Sequence, residues 1–371
     1  MDFDVTEDQS DLRAAVREFL DKRTSEAEVR RVMETEIGHD PAVWAELAAE
    51  LGLAALIVPE DHDGLGLGPV EVALVMTELG KRLVATPFLS SSVIATTALL
   101  ASPSGTARDE LLASLASGER CATLAHLEAD GDWSSAAHVE ATATTSGDDI
   151  RIDGTKQLVL DAGSSDVLLV TARASDGSVG LYTVERETDG VTVRTETSID
   201  LTRRFATVTF AGAPATPLAA DASGPVDEAL ALAIVALSAE QLGAAERCLD
   251  AAVEYANVRE QFGRRIAEFQ AVQHRCADIL VEVELARTAL LTALWAVQEG
   301  ADDRETALRV AKITCSEALS YAAAENLHLH GGNGFTWEFP EQLYFRRARG
   351  SELLFGSPAQ HRALLATSLG I

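Results

Sequence analysis

Basic residues are scarce in this chain of 371 residues: 30 lysines and arginines stand against 58 aspartates and glutamates, a formal net charge of -28. That balance excludes general nucleic-acid binding, which needs a basic face toward phosphates. The acidic surplus reads as a well-solvated surface. Cysteine is also sparse: Cys121, Cys248, Cys276 and Cys315 lie far apart with no CxxC pair. This excludes a disulfide framework and a cysteine zinc site, and leaves reduced, buried thiols. Aromatic residues make up only 5% of the chain, so Ala, Leu and Val must build most of the core. No uncharged apolar run is long enough for a bilayer, and the polar, acidic start "MDFDVTEDQSD" is unlike a signal or transit peptide. The expectation is a cytoplasmic protein without membrane contact.

What is present falls into three zones of different composition, read as domains 1–118, 119–220 and 221–371. The first is helical. Thr6 with Gln9 three positions on forms a capping-box pattern. Asp40-Pro41 opens a helix that Gly52 closes. Pro69 and Pro87 each start a further apolar helix, the former after the glycine-rich "PEDHDGLGLGP". The second zone has short Thr/Val/Ile-rich runs between Gly, Asp and Ser: "HVEATATT", "DIRIDG", "DVLLVTA", "VGLYTVE", "GVTVRTE" and "FATVTFAG". These predict a compact antiparallel β domain. The third zone returns to long proline-free helical stretches with short connections, the pattern of an antiparallel four-helix bundle. The fold class is therefore α+β: helices, a β domain, then a helical bundle.

One stretch departs from the acidic background. In "NVREQFGRRIAEFQAVQH", Arg259, Arg264 and Arg265 gather around Phe262, Gly263 and Phe269 in a turn between two long helices. Arginine there suits bidentate bonds to a phosphate, although a single arginine at a helix C-terminus also satisfies the helix dipole without any ligand. His328 and His330 suggest a metal pair, but two positions apart on a helix they point about 200° away from each other. No metal site is expected, and helix packing is the reading for His328.

The order R-x-x-F-G followed by F-Q-x-x-Q-H resembles the acyl-CoA dehydrogenase family. So do "LHLHGGNGFTWEFPEQLYFRRAR", like the family's G-G-x-G stretch with its basic run, and "VPEDHDGLGLGPVEVALVMTELG", like its V-P-E loop and helix. The resemblance runs over essentially the whole chain. It implies FAD as cofactor, an acyl-CoA thioester as substrate and a tetramer as assembly. In that family these two C-terminal motifs contact FAD bound mainly by a neighbouring subunit. Carried over residue by residue, Arg259, Phe262, Phe269, Gln270, His330, Gly331 and Gly332 would form this half of a flavin site. The implied chemistry is α,β-dehydrogenation: a carboxylate removes the α proton and the flavin takes the β hydride.

The catalytic side departs from the family. In "SELLFGSPAQHR", Phe355 stands where most members carry the glutamate base, and Ser357-Pro358-Ala359 replaces a flavin-contacting T-x-E. The alternative base position is Ala233, and Ile234 replaces an arginine for the CoA arm. "LEADGDWSS" stands for the family's flavin loop, and Lys156-Gln157-Leu158-Val159-Leu160 for its K-x-W-I-T strand, keeping the lysine and Gly154 but not the Trp or Thr. Some family members pair a complete subunit with one that mainly completes the partner's flavin pocket. This chain resembles the second kind, with a second acyl-CoA dehydrogenase-like subunit as partner. The alternatives are a homomeric enzyme whose base is displaced to Glu240, or a non-enzymatic acyl-CoA or flavin binder.

Overall fold

A computed structural model describes residues 6–134, 139–147 and 149–371. The first five residues, Ser135 of the candidate flavin loop and His138 of the first strand run lie outside the described residues. The chain opens with helices α1 (Glu7–Arg23), α2 (Glu26–Met33), α3 (Pro41–Leu51) and α4 (Pro69–Arg82). The Thr6–Gln9 capping box forms in both directions, and Gly52 closes α3 at φ 64°. Pro87 caps a buried π-helical segment, Phe88–Ala95, that runs into α5 (Thr96–Leu100); α6 (Thr106–Ala116) follows. Glu78 of α4 has a fully buried side chain, and Arg13 and Arg17 of α1 reach it at 2.8 and 2.9 Å. Burial alone would raise this carboxyl, but the bonds from Arg17 and Arg13 prevail and hold it down at about 2.

The six strand runs each form a strand, preceded by one that sequence reasoning missed, β1 (Ala122–Ala125). The others are β2 (Thr142–Ser146), β3 (Asp149–Leu160), β4 (Val167–Ala174), β5 (Val179–Glu185), β6 (Val191–Thr195) and β7 (Phe205–Ala219). Pairing closes a ring: β4 to β5, β5 to β7, β7 to β3, β3 to β2, and β2 back to β4. The sheet is mainly antiparallel, as expected, yet β1–β4 and β2–β4 are parallel. Ile152, Leu168, Val170, Val208 and Phe210 fill its interior, as the period-2 alternation requires.

Helix α7 (Ser223–Val258) is a single helix of 36 residues, about 54 Å long. By length and composition it is apolar enough to cross a membrane, although charged Glu228 and Glu240 bound its uncharged run. Its apolar stretch is 89% buried, because it is the central post of the bundle. Against it lie α8 (Gln270–Gln298), α9 (Arg304–His330) and α10 (Glu341–Leu353), while α11 (Pro358–Ser368) packs on α9. Helix α4 also crosses α7 so closely that glycine is required. A Cβ at Gly80 would meet the Glu240 carbonyl at 2.2 Å, and one at Gly243 would meet the Thr77 carbonyl at 2.1 Å. The first helical region is thereby seated on the bundle.

Candidate functional site

Between α7 and α8 the arginine turn is a hairpin, with Glu260–Gln261 paired to Arg264–Arg265. Its two loop residues have φ 55° (Phe262) and 79° (Gly263), the double left-handed pattern of a type I′ turn. Phe262 occupies a position that favours Asn or Gly, and its side chain is 94% exposed. Phe269, the N-cap of α8, steadies the hairpin from below: the Arg264 guanidinium lies 3.9 Å over its ring, and Phe262 meets it edge-on at 6.2 Å. Arg259 caps α7 through its N–H to Tyr255 O and is exposed. Among the described residues neither Arg259 nor Arg265 makes an ion pair. Gln270 is likewise exposed.

The glycine motif is tied by His330 to Tyr255, near the end of α7 that carries this hairpin. Helix α9 ends at Gly331, φ 60°, and a Cβ at Gly331 or Gly332 would meet nothing within 4 Å. His330 itself is buried. Its ring stacks on Tyr255 at 4.0 Å, Nδ1 lies 2.9 Å from Asn326 O, and Nε2 lies 3.4 Å from Glu341 Oε1. His330 thus clasps α7 and α10 from inside while Gly331 and Gly332 face outward. His328 does not pack within the bundle as expected: it is exposed, near Glu325, which also bonds Arg275. The structure leaves Arg259, Phe262, Gln270, Gly331 and Gly332 exposed and Phe269 half-buried, and the His330–Tyr255 stack links the two motifs from inside.

Phe355 stands on the other side of the bundle. It follows α10 in a left-handed conformation, φ 58°, is buried, and meets Trp133 of the β domain edge-on at 5.2 Å. Both line a cleft of about 850 Å³ between the loop ending at Ser134, the start of α7, the α8–α9 turn and α11. Ile234 lines it too, whereas Ala233 is fully buried in the core. Ser357 and Pro358 start α11 with a second capping box, closed by Gln360. The residues that replace the family's flavin contact thus have a local helix-starting role.

Behind this cleft the loop Leu127–Ser134 is tied to the sheet by Lys156. Its Nζ lies 2.5 Å from Glu128 Oε1 and 3.1 Å from Thr171 Oγ1, and Glu128 also accepts the Glu140 and Ala141 amides. Burial pushes Lys156 down against the pull of Glu128, while the lysine and those amides outweigh burial and hold Glu128 below the usual carboxylate range. Leu158, at the lost Trp position, sits at φ 47° in a bulge between Lys156 and Val159 and is 41% exposed.

Glu240 lies outside the cleft, in a buried charge cluster. Arg203 Nη2 bonds Oε2 at 2.5 Å and Arg347 Nη1 bonds Oε1 at 2.9 Å; Arg347 Nε is also 3.0 Å from Asp200 Oδ2. Each carboxylate oxygen is already an acceptor for a guanidinium. Nearby Asp161 is partly buried and, despite a bond from Ser90, burial pushes it up to about 6. Sequence reasoning gave no sign of this cluster, because Asp200, Glu240 and Arg347 follow no local pattern. It also missed Trp133 and His361 as cleft residues; the Q-H of "SPAQHR" marks a helix start but not where the ring points.

Comparison with known proteins matches the same regions. The model for "Acyl-CoA dehydrogenase, N-terminal domain" fits residues 6–119, and that for "Acyl-CoA dehydrogenase, C-terminal domain" fits residues 226–370. Acyl-CoA dehydrogenase IpdE2 of Mycolicibacterium smegmatis is 34% identical over 356 residues, covering 96% of this chain and 97% of that protein. A chain of the ChsE4-ChsE5 complex from Mycobacterium tuberculosis superposes with a TM-score of 0.89 at 29% identity, over 100% of this chain and 99% of that one. A chain of the Tcur3481-Tcur3483 steroid ACAD does so with a TM-score of 0.89 at 29% identity, over 99% of each.

Proposed function

The chain belongs to the acyl-CoA dehydrogenase family of FAD-dependent oxidoreductases, and on that premise we propose that it is the base-lacking subunit of a heterotetramer, completing the FAD site of a catalytic partner. The observation that carries this reading is Phe355: a buried phenyl ring, packed on Trp133, stands at the position where the family resemblance puts the carboxylate base. Phenylalanine accepts no proton, so removal of the α proton falls to the partner.

The two faces of this chain suit FAD differently. On the hairpin face, Arg259 and Arg265 are cations without ion-pair partners among the described residues, and Gly331 and Gly332 leave open space at the backbone. This donor set fits a diphosphate with an adenosine alongside. When bound, FAD supplies the hydride acceptor; Arg259 would hold its diphosphate while Phe262 and Phe269 shape the wall beside it. The cleft at Phe355 does not fit: its rim is rich in carboxylates and its depth ends on an aromatic pair.

The homomeric alternative needs Glu240 as base, and Glu240 has both oxygens bonded to buried guanidiniums. The ChsE4-ChsE5 relative is itself a complex of two named chains, which supports a paired assembly here. The deciding experiment is co-expression with a second acyl-CoA dehydrogenase-like chain from the same source, followed by flavin counting and native mass. A heterotetramer holding fewer flavins than chains is expected, and it should dehydrogenate acyl-CoA where this chain alone does not. A yellow, active homomer would overturn the proposal. The steroid ACAD relative makes steroid acyl-CoA thioesters the first substrates to try on the complex.

A further inference from the structure

The cleft at Phe355 is large, and its chemistry is all of one kind. At about 850 Å³ it has the size of a site for a small organic ligand. Its inner wall is apolar, built from Leu230, Ala231, Ile234, Leu308 and Phe355, with Leu364 at the mouth. The rim carries five carboxylates, Asp132, Asp227, Glu228, Asp302 and Glu305, and two arginines. Neither arginine is free. Arg304 forms a two-pronged bond with Glu228 at 3.0 and 2.9 Å, and Arg309 bonds Glu305 at 2.7 Å. Among the described residues Asp227 and Asp302 have no cationic partner. A coenzyme A thioester would bring its phosphates into this rim, like charge against like charge.

A second observation points the same way from inside. His361 lines the cleft and is only 5% exposed. Its Nε2 lies 2.9 Å from the Phe355 carbonyl, which can only accept, so that nitrogen carries the proton. Burial, Lys312 and Arg309 push the imidazole below its ordinary value, which keeps the ring neutral. Nδ1 is then a bare lone pair, and among the described residues it has no hydrogen-bond partner. A buried acceptor without a donor is costly, so a bound molecule that supplies a donor gains from it.

We propose that this cleft binds a non-anionic amphiphile, an apolar body bearing hydroxyl or ammonium donors, and rejects coenzyme A thioesters. The apolar wall takes the body, His361 Nδ1 accepts from a donor at depth, and the free carboxylates Asp227 and Asp302 favour a donor or cation at the mouth. The inference does not rest on the proposed role in a neighbour's FAD site, and either can fail without the other, because flavin retention in the complex is read separately from ligand binding here.

The test uses the full chain and a matched fluorescent set: pyrenemethanol, pyrenemethylamine and pyrenecarboxylate, with decanoyl-CoA as competitor. Fluorescence anisotropy should report one bound pyrene per chain, with the alcohol and the amine at least about ten-fold tighter than the carboxylate and no displacement by decanoyl-CoA. His361→Phe should weaken the alcohol about ten-fold, the value of one hydrogen bond. Replacing Asp227 and Asp302 together by Asn should shrink the amine's advantage over the alcohol. Leu364→Trp, at a half-exposed position where folding is safe, should weaken every probe by narrowing the mouth. Carboxylate binding equal to alcohol binding, displacement by decanoyl-CoA, or a Leu364→Trp chain that binds all probes unchanged would each overturn the proposal.

Discussion

The ring of His330 stacks on that of Tyr255 at 4.0 Å with 28° between their planes. This contact joins the two sequence motifs that the family uses toward a neighbour's flavin, since Tyr255 stands four residues before Arg259 and His330 one residue before Gly331. It also gives His330 a role that can be measured. His330→Ala would leave a cavity between α7 and α10, and it should destabilise the chain by about 2–3 kcal/mol. Because the glycine turn then loses its support, FAD retention in the assembled complex should fall as well. His330→Phe, which keeps the stack but loses the bond to Asn326 O, should restore most of the retention. Denaturant unfolding and flavin absorbance after dialysis check both.

Arg259 should behave in the opposite way. It is exposed, and its bonds among the described residues are backbone ones, its N–H to Tyr255 O and its carbonyl from the Ile266 amide, so Arg259→Ala should change this chain's own stability by no more than about 1 kcal/mol. In the complex the same change removes a charge-assisted bond of about 1.5–3 kcal/mol, a ten- to hundred-fold loss of flavin affinity. Lys at this position should recover part of it, keeping the charge without the planar fork. Unchanged FAD content in an intact Arg259→Ala complex would make the hairpin a helix cap and nothing more.

Much of this arrangement was legible in the sequence where the signal is local. Capping residues and Pro at helix starts placed α1, α3 and α4, and Thr/Val/Ile-rich runs between Gly, Asp and Ser placed six of the seven strands in the central sheet, because both depend on neighbours a few positions away. Strand β1 was not legible: "ATLA" is too short and too evenly buried to alternate. The parallel β1–β4 and β2–β4 pairings escaped for a related reason, since register between distant segments leaves no local trace. The hairpin face was found through motif order, yet His330 proved internal and His328 exposed, because which side of a helix end is covered depends on α10. Glu240 looked available along the helix; only the fold brings Arg203 and Arg347 to it.

That cluster yields a sharp outcome for Glu240→Gln. Removing the carboxylate's charge leaves two buried guanidiniums short of a counter-ion, and breaking a buried pair costs about 3–5 kcal/mol. The retained amide oxygen keeps one bond, so a loss of about 3 kcal/mol is expected in urea unfolding. Turnover per folded complex should stay the same if Glu240 is structural. Loss of turnover with unchanged stability would instead restore Glu240 as a displaced base.

Lys312 gives a test that depends on pH. It is fully buried on α9, and its Nζ bonds Ser316 Oγ at 2.9 Å and the carbonyl of Glu352 at 3.0 Å, with the Ser351 carbonyl at 3.4 Å. It therefore holds the last turn of α10, from which Phe355 enters the cleft. Burial pushes the amine from 10.5 to about 8, against weaker pulls from Glu352 and Cys315. The unfolded chain keeps its proton up to its ordinary value, so between pH 8 and about 10.5 unfolding takes up a proton. Stability from this group thus rises with pH through that window, and the penalty of burying the charge is fully present below pH 8. The shift corresponds to about 3 kcal/mol. Buried Cys248, Cys315 and Tyr344, all pushed up, lose stability as pH rises, so the wild-type curve alone would mislead. The difference between wild type and Lys312→Met isolates the lysine, because the other groups are common to both. That difference should move in favour of the wild type by about 3 kcal/mol between pH 7 and 10.5 in urea titrations. A flat difference would mean that Lys312 keeps its proton in the folded chain, and that the α10 terminus is held by a charged lysine throughout.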